Sequence, residues 1–324
     1  MENLEGKTIL ISGVAGFIPG HLAESYLKRG ARVIGVDNLI TGSLDTVSIL
    51  QKYKNFTFHR GDVSTTEMGQ IWEEYAFDWI FSMASPASPV DFERIPLEIM
   101  LSNSQGALNL LRLAQRKGAK FLQASTSEVY GDPLQHPQKE TYFGNVNPLG
   151  IRAPYDESKR YAETLAMVFW RKYGVDTRLV RIFNTYGPRM RKDDGRVIPN
   201  FINQALKNLP LTVYGQGNQT RSFCFVDDLV SYIHTVMTKN NFENIHYPVN
   251  IGTTQEFTVL EVAKKIISLC NSKSEIEFRK IGADDPVLRR PDLTRLEKIV
   301  GRSLEGNSIS IDEGLKRTIE YFST

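Results

Sequence analysis

Cysteine is nearly absent from this sequence, whose 324 residues include only Cys224 and Cys270. Two cysteines so far apart give neither a disulfide framework nor a cysteine-based metal site. We therefore expect both to be buried thiols in a protein of a reducing compartment, the cytoplasm. The sequence offers no Cys/His cluster either, so we predict no metal.

The sequence also lacks an excess charge and a long apolar run. Its 39 basic and 37 acidic side chains leave a net charge of +2, which gives no electrostatic reason to expect nucleic acid or an anionic membrane as a partner. The apolar stretches are too short to cross a bilayer. The first seven residues are neither basic nor apolar, so we expect no secretory signal.

What remains is the composition of a folded globular protein. Hydrophobic residues make up 41% of the chain and charged residues 23%, enough to build a real core. The length allows one large domain or two ordinary ones.

A glycine-rich turn follows the first predicted strand, at residues 7–12. Gly13 and Gly16 open the turn, and a helical pattern follows it. Glycines there let the backbone approach a pyrophosphate, whose charge the helix N-terminus attracts. A second strand, residues 32–37, ends in Asp37, and an acid at this distance binds ribose hydroxyls and repels a 2′-phosphate. The order and spacing of these elements predict a Rossmann unit that prefers NAD to NADP.

Further strands are predicted at residues 56–59, 78–83, 120–124 and 177–183, with helices at 97–116 and 157–173 between them. Such alternation indicates an α/β fold, a Rossmann doubly wound parallel sheet. Ligands bind at the carboxyl ends of its strands, where Thr126, Glu128 and Asn184 lie.

The pattern changes after Pro188. Short strands and helices predict a smaller C-terminal α+β substrate lobe, and a strand at residues 247–251 is expected to return to the main sheet. We therefore assign residues 1–188 to the Rossmann domain, with residues 224–254 returning to it, and residues 189–324 mainly to the lobe.

Tyr155 and Lys159 stand four residues apart in a predicted helix and so share one face. Pro154 suits the first turn of that helix. A lysine cation beside a phenol favours the phenolate, so we expect the pKa of Tyr155 to fall toward neutrality and the residue to serve as a general base. Taken alone, the pair also fits an ordinary surface helix.

Several longer motifs resemble the extended short-chain dehydrogenase/reductase family that acts on nucleotide sugars, over nearly the whole chain. The most specific are Ala-Ser-Pro-Ala-Ser-Pro at residues 84–89 and Ser-Thr-Ser-Glu-Val-Tyr-Gly at residues 125–131. The resemblance is strongest to the members that decarboxylate UDP-glucuronate. The other matching segments are residues 145–150, 155–160, 181–190, 194–197, 219–223 and 284–292.

The resemblance implies a closed redox cycle with NAD as the cofactor. Tyr155, aided by Thr126, takes the C4 hydroxyl proton of the sugar while a hydride leaves, and Lys159 lowers the phenol pKa. The resulting 4-keto sugar loses carbon dioxide, and its reduction gives UDP-xylose.

Glu128 is the residue that separates the branches of this family. Its 4-epimerases carry a small residue there, whereas its decarboxylases and 4,6-dehydratases carry an acid. The dehydratases have an aspartate just before it, where this chain has Ser127, which favours decarboxylation. Glu128 is expected to shuttle a proton or orient the sugar at C5, unless it only caps the next turn.

The family pattern also implies the binding residues. Arg221 would contact the diphosphate, and Arg289 or Arg290 would bind the diphosphate or supply the C5 proton. Besides Tyr155 and Lys159, the predicted cofactor contacts are Gly13, Gly16, Phe17, Ile18, Asp37, Asn38, Thr41, Gly42, Asp62, Val63, Ala84 and Ile182. The predicted substrate contacts are Ser88, Asn184, Arg196, Val197, Tyr214, Arg221 and Arg290, with Arg196 in either a substrate lid or a solvated loop.

The two helices 97–116 and 157–173 each carry a second apolar stripe, which needs a partner. In the family the equivalent helices pair across a two-fold axis, so the resemblance implies a homodimer held by a four-helix bundle. Extra packing within one chain is the alternative.

Two other functions remain open at this stage. One is a sister reaction, nucleotide-sugar 4-epimerisation or 4,6-dehydration. The other is an NAD-binding regulatory or scaffold protein without catalysis.

The family's usual histidine and tyrosine are here Ser82 and Phe92, and the loss of a hydroxyl at Phe92 bears on carboxylate specificity.

The third glycine of the family's turn is replaced by Pro19, followed by Gly20. The proline backbone is tolerated in a first helical turn, but its ring adds bulk where the family packs helix against strand. We expect Pro19→Gly to bind NAD more tightly than the parent chain in equilibrium titration. An unchanged dissociation constant would contradict this.

Overall fold

The computed structural model describes residues 2–65, 69–280 and 288–324. Within these ranges no helix combines the length and the apolar character needed to cross a membrane. Part of the predicted motif at 284–292, residues 284–287, lies outside the described residues.

The first half of the chain alternates strand and helix, as its runs of β-branched residues predict. A π-helical turn, Ser102–Gly106, joins α5 to α6, and a 3₁₀ turn, Ser127–Tyr130, follows β5. The elements are β1 Thr8–Ser12, α1 Phe17–Lys28, β2 Arg32–Asp37, α2 Leu44–Leu50, β3 Phe56–Arg60, α3 Gly69–Glu73, β4 Trp79–Ser82, α4 Asp91–Arg94, α5 Pro96–Leu101, α6 Ala107–Lys117, β5 Lys120–Thr126, α7 Ala153–Tyr173 and β6 Thr177–Ile182.

The second half consists of shorter elements, and the longest helices described there have 13 residues. They are β7 Thr185–Tyr186, α8 Val197–Leu206, β8 Leu211–Tyr214, β9 Thr220–Ser222, β10 Cys224–Phe225, α9 Val226–Thr238, β11 Pro248–Ile251, β12 Glu256–Thr258, α10 Val259–Leu269, β13 Ile276–Arg279, β14 Leu288–Arg289, α11 Thr294–Val300 and α12 Ile311–Ser323.

Seven strands form one parallel sheet in the order β11-β6-β5-β4-β1-β2-β3. The chain runs outward from β1 in one direction and then returns to begin again at β4, so the connections diverge between these two neighbours. Such a point opens a crevice at the carboxyl ends of the strands. The predicted Rossmann doubly wound sheet is thereby confirmed.

Alternate side chains of the strands fill two separate cores, because successive residues of a strand point to opposite faces. On one face Ile9 and Ile11 pack with the core that includes α1 and α9. On the other, Leu10 and Ile34 pack against the core that includes Leu110 of α6 and Phe169 of α7. The sheet is therefore covered on both sides, as a parallel sheet requires.

The smaller lobe is built from the pairs β8–β13 and β7–β10 and from the three strands β12-β9-β14. Between β6 and β11 the chain passes through this lobe. It then returns, because β11 pairs in parallel with β6 from Pro248 opposite Leu179 to Ile251 opposite Ile182. After β11 the chain leaves the sheet again for β12, β13 and β14, so the lobe is joined to the main sheet at more than two places.

The single helix predicted at residues 97–116 is wrong in detail, because the π-helical turn interrupts it. Asn103 in this turn is 2% exposed, and its amide nitrogen lies 3.0 Å from Ser85 Oγ and 3.2 Å from Ser158 Oγ. The turn therefore carries a buried amide between the β4 loop and α7. Turns of this kind occur often at functional sites.

Pro19 is the third residue of α1, where its missing N–H leaves no hydrogen bond unmade. The close approach falls to Gly20, since a Cβ there would lie 2.6 Å from Thr46 Cγ2. The ring of Pro19 instead faces the turn, with its Cγ 3.3 Å from where a Cβ of Gly16 would stand.

Candidate active site

A cleft of about 830 Å³ lies at the carboxyl ends of the strands and is lined by residues of both the sheet and the lobe. This volume suits a site for a large small-molecule ligand. Arg290 is the one predicted site residue that is not among its lining residues, and it pairs instead with Glu256 at 3.3 Å. The predicted residues that line it are Gly13, Gly16, Phe17, Ile18, Asp37, Asn38, Thr41, Gly42, Asp62, Val63, Ala84, Ser88, Thr126, Glu128, Tyr155, Lys159, Ile182, Asn184, Arg196, Val197, Tyr214, Arg221 and Arg289.

The glycine turn fits a dinucleotide. Gly13 has a left-handed φ of +71°, and a Cβ there would lie 2.7 Å from Ala84 Cα. Only glycine therefore allows the turn after β1 to lie this close to the segment after β4. The turn leads directly into the N-terminus of α1, where backbone N–H groups can receive a pyrophosphate.

Asp37, at the end of β2, is held by the backbone rather than by a cation. It accepts hydrogen bonds from Ala15 N at 3.0 Å and from Leu39 N at 2.8 Å. Burial raises the pKa of Asp37 above its ordinary value, although these two hydrogen bonds oppose the rise. Asp62 stands nearby and accepts from Asn38 Nδ2 at 2.8 Å. These acceptors suit the hydroxyls of a ribose, so the residues present fit an NAD molecule.

Tyr155 and Lys159 lie on the face of α7 toward the cleft, beside Thr126 at the end of β5. The Thr126 hydroxyl lies close enough to the Tyr155 phenol to lower its pKa, and Lys159 Nζ lies 5.7 Å from the phenol ring centre. Lys159 also donates to Ala124 O at 2.9 Å. The three side chains predicted to act at C4 are therefore brought together.

The expected fall in the pKa of Tyr155 is wrong for this structure. Burial raises that pKa to about 12; the Thr126 hydroxyl opposes the rise, and the charge of Glu128 adds to it. Burial also lowers the pKa of Lys159 to about 7, so this amine is only partly cationic at neutral pH. The spacing of the two residues on the helix indicates only their charges, whereas burial favours the neutral form of both groups.

Glu128 is a buried carboxylate held between two arginines from distant segments. Arg152, just before α7, and Arg289, in β14, each form an ion pair with it. Burial alone would raise the pKa of Glu128, but Arg289 and Arg152 together lower it well below its ordinary value. Glu128 is therefore ionised at neutral pH and does not merely cap the next turn.

Arg152 was not predicted as a site residue. Its guanidinium lies 5.2 Å over the ring of Phe92, which in turn stacks on Tyr155 with ring centres 5.2 Å apart. Arg152 thus connects the carboxylate of Glu128 to the phenol. The signal in the sequence is a cation three residues before Tyr155, but Arg152 falls between the matching segments 145–150 and 155–160.

The arginine-rich loop after β7 contacts the loop after β4, although Lys192 and Asp193 are exposed. Arg191 pairs with Asp91 at 3.0 Å, and Arg196 donates to Ala87 O at 2.8 Å. Ser88 Oγ donates to Asp194 O. The loops at residues 84–91 and 191–196 therefore meet at the cleft, which both of them line.

The far end of the cleft is formed by the lobe. Arg221 in β9 is 8% exposed and lies beside Arg289, its partner in the β9–β14 register. The backbone carbonyl of Asn184 accepts a hydrogen bond from Cys224 N at 2.9 Å. Tyr214 is half exposed at the cleft wall. Within the described residues, no group of His, Cys, Asp and Glu is placed to hold a metal ion.

The profile of the NAD dependent epimerase/dehydratase family matches residues 9–252. The chain belongs to this family. It is 48% identical over 315 residues to UDP-glucuronic acid decarboxylase 4 of Arabidopsis thaliana, covering 97% of this chain and 68% of the relative. It is 45% identical over 323 residues to UDP-glucuronic acid decarboxylase 1 of Danio rerio, covering 100% of this chain and 74% of the relative.

Solved structures of similar fold include UDP-glucose 4-epimerases. That of Thermotoga maritima, with UDP-glucose, has a TM-score of 0.87 at 28% identity and covers 97% of this chain and 98% of its own. That of Thermus thermophilus, in complex with NAD, has a TM-score of 0.84 at 26% identity and the same coverage. The fold is thus shared with enzymes of more than one reaction.

We expect the pH dependence of stability to report the burial of Lys159. Its pKa of about 7 lies below the ordinary 10.5, so between these values the unfolded chain binds more protons and stability rises with pH. Lys159→Met removes this dependence. In the cofactor-free protein, the melting temperature of the variant relative to the parent is therefore highest at and below about pH 7 and declines toward pH 10.5.

The matched control is Lys172→Met, which replaces an exposed lysine of the same helix. Its melting temperature should follow the parent at every pH. A difference between Lys159→Met and the parent that does not vary with pH would contradict the burial argument.

Proposed function

We propose that this chain decarboxylates UDP-glucuronate to UDP-xylose, with NAD reduced and regenerated in each turnover. The observation that carries the proposal is the buried Glu128, held by Arg152 and Arg289 beside the Tyr155–Thr126 pair. Identity of 45–48% to decarboxylases of this substrate, over nearly the whole chain, supports it.

Binding divides between the two parts of the fold. The turn at Gly13 and Gly16 would hold the pyrophosphate of NAD, Asp37 its adenosine ribose, and Lys159 its nicotinamide ribose. When bound, NAD supplies a hydride acceptor for C4 of the sugar and returns that hydride at the end of the cycle. Residues 1–188, with 224–254, hold the cofactor, and the rest of 189–324 holds the UDP, with Arg221 on its diphosphate.

Tyr155 and Thr126 act on the C4 oxygen. The phenol of Tyr155 first loses its own proton to solvent, and the phenolate then takes the C4 hydroxyl proton as the C4 carbon loses its hydride, so a free alkoxide never has to form. The Thr126 hydroxyl favours this transfer because it lowers the pKa of the phenol. The ketone formed at C4 is β to the C6 carboxylate.

The carbon–carbon bond then breaks on the side of the sugar that faces Glu128. Arg152 and Arg289 together outweigh the charge of Glu128 and attract the C6 carboxylate. When the C5–C6 bond breaks, carbon dioxide leaves and the electron pair enters the C4 enolate, whose oxygen Tyr155 and Thr126 stabilise. C5 gains a proton from a solvent molecule that the ionised Glu128 orients, and C4 regains its hydride while Tyr155 returns its proton.

The reaction separates this proposal from the sister functions and from a binding protein. NMR of the products from UDP-glucuronate and NAD should show UDP-xylose and carbon dioxide. A C4 epimer that retains its carboxylate, a dehydrated sugar, or NAD binding without turnover would each contradict the proposal.

Tyr155→Phe tests the residue on which the cycle depends. Loss of the phenol should lower the rate of carbon dioxide release by about 10²- to 10⁴-fold, because general acid–base catalysis at C4 is removed. Tyr173→Phe, at the exposed end of the same helix, is the control and should keep the rate of the parent. Decarboxylation by Tyr155→Phe at the parent's rate would rule out this mechanism.

We also propose a homodimer through α5 and α7, which pack together and expose apolar side chains. Leu97 is 68% exposed and Leu101 51% on α5, and Val168 is 43% exposed on α7. A second copy would cover this face and complete four helices around one apolar core. The double variant Leu97→Glu/Val168→Glu should halve the mass measured by light scattering, because buried charges oppose association.

The control for this experiment is Leu209→Glu, which places the same charge at an exposed leucine of the lobe. It should remain a dimer. A parent chain that is monomeric, or a double variant that stays dimeric, would contradict the proposed interface.

A further inference from the structure

Arg289 stands on a short segment with little secondary structure of its own. β14 contains two residues, and among the described residues its strand partner is β9 alone, through Leu288 opposite Thr220 and Arg289 opposite Arg221. Two residue pairs with β9 are a weak hold on the backbone of Arg289, whose guanidinium forms an ion pair with Glu128. The residues just after Arg289 fix this backbone more firmly.

Gln138, in the loop between β5 and α7, forms hydrogen bonds with the segment that follows Arg289, residues 290–292. Its backbone N–H donates to Arg290 O at 2.9 Å, and its carbonyl accepts from Asp292 N at 2.8 Å. Its side-chain Oε1 accepts from Arg290 N at 2.8 Å. Gln138 is fully buried, so these bonds do not exchange with water, and their loss would leave buried groups unpaired.

Asn250, in the edge strand β11, fixes Gln138 in turn. Its amide nitrogen lies 2.9 Å from Gln138 O and 3.2 Å from Asp292 O, so one side chain holds both segments. Tyr130 Oη donates to Asn250 Oδ1 at 2.7 Å. Tyr130 ends the short turn that carries Glu128.

The network continues from Tyr130 to the strand that carries Thr126. Arg181 Nη1 donates to Tyr130 Oη at 2.9 Å and pairs with Glu163 at 2.8 Å. Ser125 Oγ donates to Glu163 Oε1 at 2.6 Å. An unbroken buried chain of hydrogen bonds thus runs from the residue before Thr126 to the residue after Arg289.

We infer that Gln138 is a positioning residue, which holds Arg289 in register with Glu128 through the backbone of Arg290. The buried chain of hydrogen bonds from Ser125 to Asn250 fixes the position of Arg289 relative to the side chains that act at C4. This inference rests on the proposed decarboxylation. Gln138 touches neither substrate nor cofactor, since it does not line the cleft.

The arrangement separates two parts of the reaction. Thr126, Tyr155 and Lys159 lie on β5 and α7, whose backbones are held by the sheet and the helix. Oxidation at C4 therefore does not need Gln138, whereas carbon–carbon cleavage and protonation at C5 need Arg289 in place. Loosening Gln138 should uncouple the second part from the first.

Gln138→Leu keeps the approximate volume and removes the side-chain acceptor. With UDP-glucuronate and NAD, we expect reduced nicotinamide, followed by its near-ultraviolet absorbance, to form at the parent's rate. Carbon dioxide release should fall by about 10- to 100-fold, as for a small misplacement of a reacting group. Reduced cofactor and 4-keto sugar should therefore accumulate. Lys139→Ala, an exposed neighbour, is the control and should retain the parent's ratio of the two rates.

The outcomes distinguish this inference from the proposed function. A parent chain that releases no carbon dioxide overturns the proposed function and the inference with it. If the parent does release it, a Gln138→Leu variant that loses both rates equally, or neither, overturns the inference alone. Should Gln138→Leu fail to fold, Tyr130→Phe breaks the same chain two links away and must shift the ratio in the same direction, or the inference is wrong.

Discussion

A carboxylate buried beside the reacting sugar must be compensated, and this requirement organises the site. Glu128 has two guanidinium partners that come from different parts of the chain, one before α7 and one in β14. Removing one partner from such a buried pair costs about 3–5 kcal/mol, because the remaining charge is left without compensation. The folds of the loop, the helix and the C-terminal segment are therefore linked through one side chain.

The sheet and its ligand-binding edge could be predicted because they follow from local pattern. The strand at Thr8–Ser12, the glycine turn and Asp37 are close in sequence, and their spacing alone indicates a dinucleotide site. The convergence of Thr126 and Asn184 on one crevice also follows, since parallel strands end on one edge. Most of the residues proposed to contact ligand were found at this edge for the same reason.

What could not be predicted depends on contacts between distant segments. Arg152 and Gln138 carry no motif that announces a partner, and their roles appear only when residues 138–152 are placed against residues 289–292. The protonation of Tyr155 and Lys159 was misjudged because burial, which has the larger effect on both, is not visible in a pair of residues on a helix. The sequence gives no direction to a side chain, so it does not show that Arg290 pairs with Glu256 and does not line the cleft.

The path of the chain through the lobe has a mechanical consequence. The polypeptide leaves the sheet after β6, re-enters it at β11 and leaves it again toward β12, so the lobe is joined to the sheet by more than two covalent connections. A fragment that stopped at residue 188 would lack both the outermost strand and α9, which covers one face of the sheet. The two walls of the cleft are thus parts of one folding unit, and the path of the backbone between them forms the cleft.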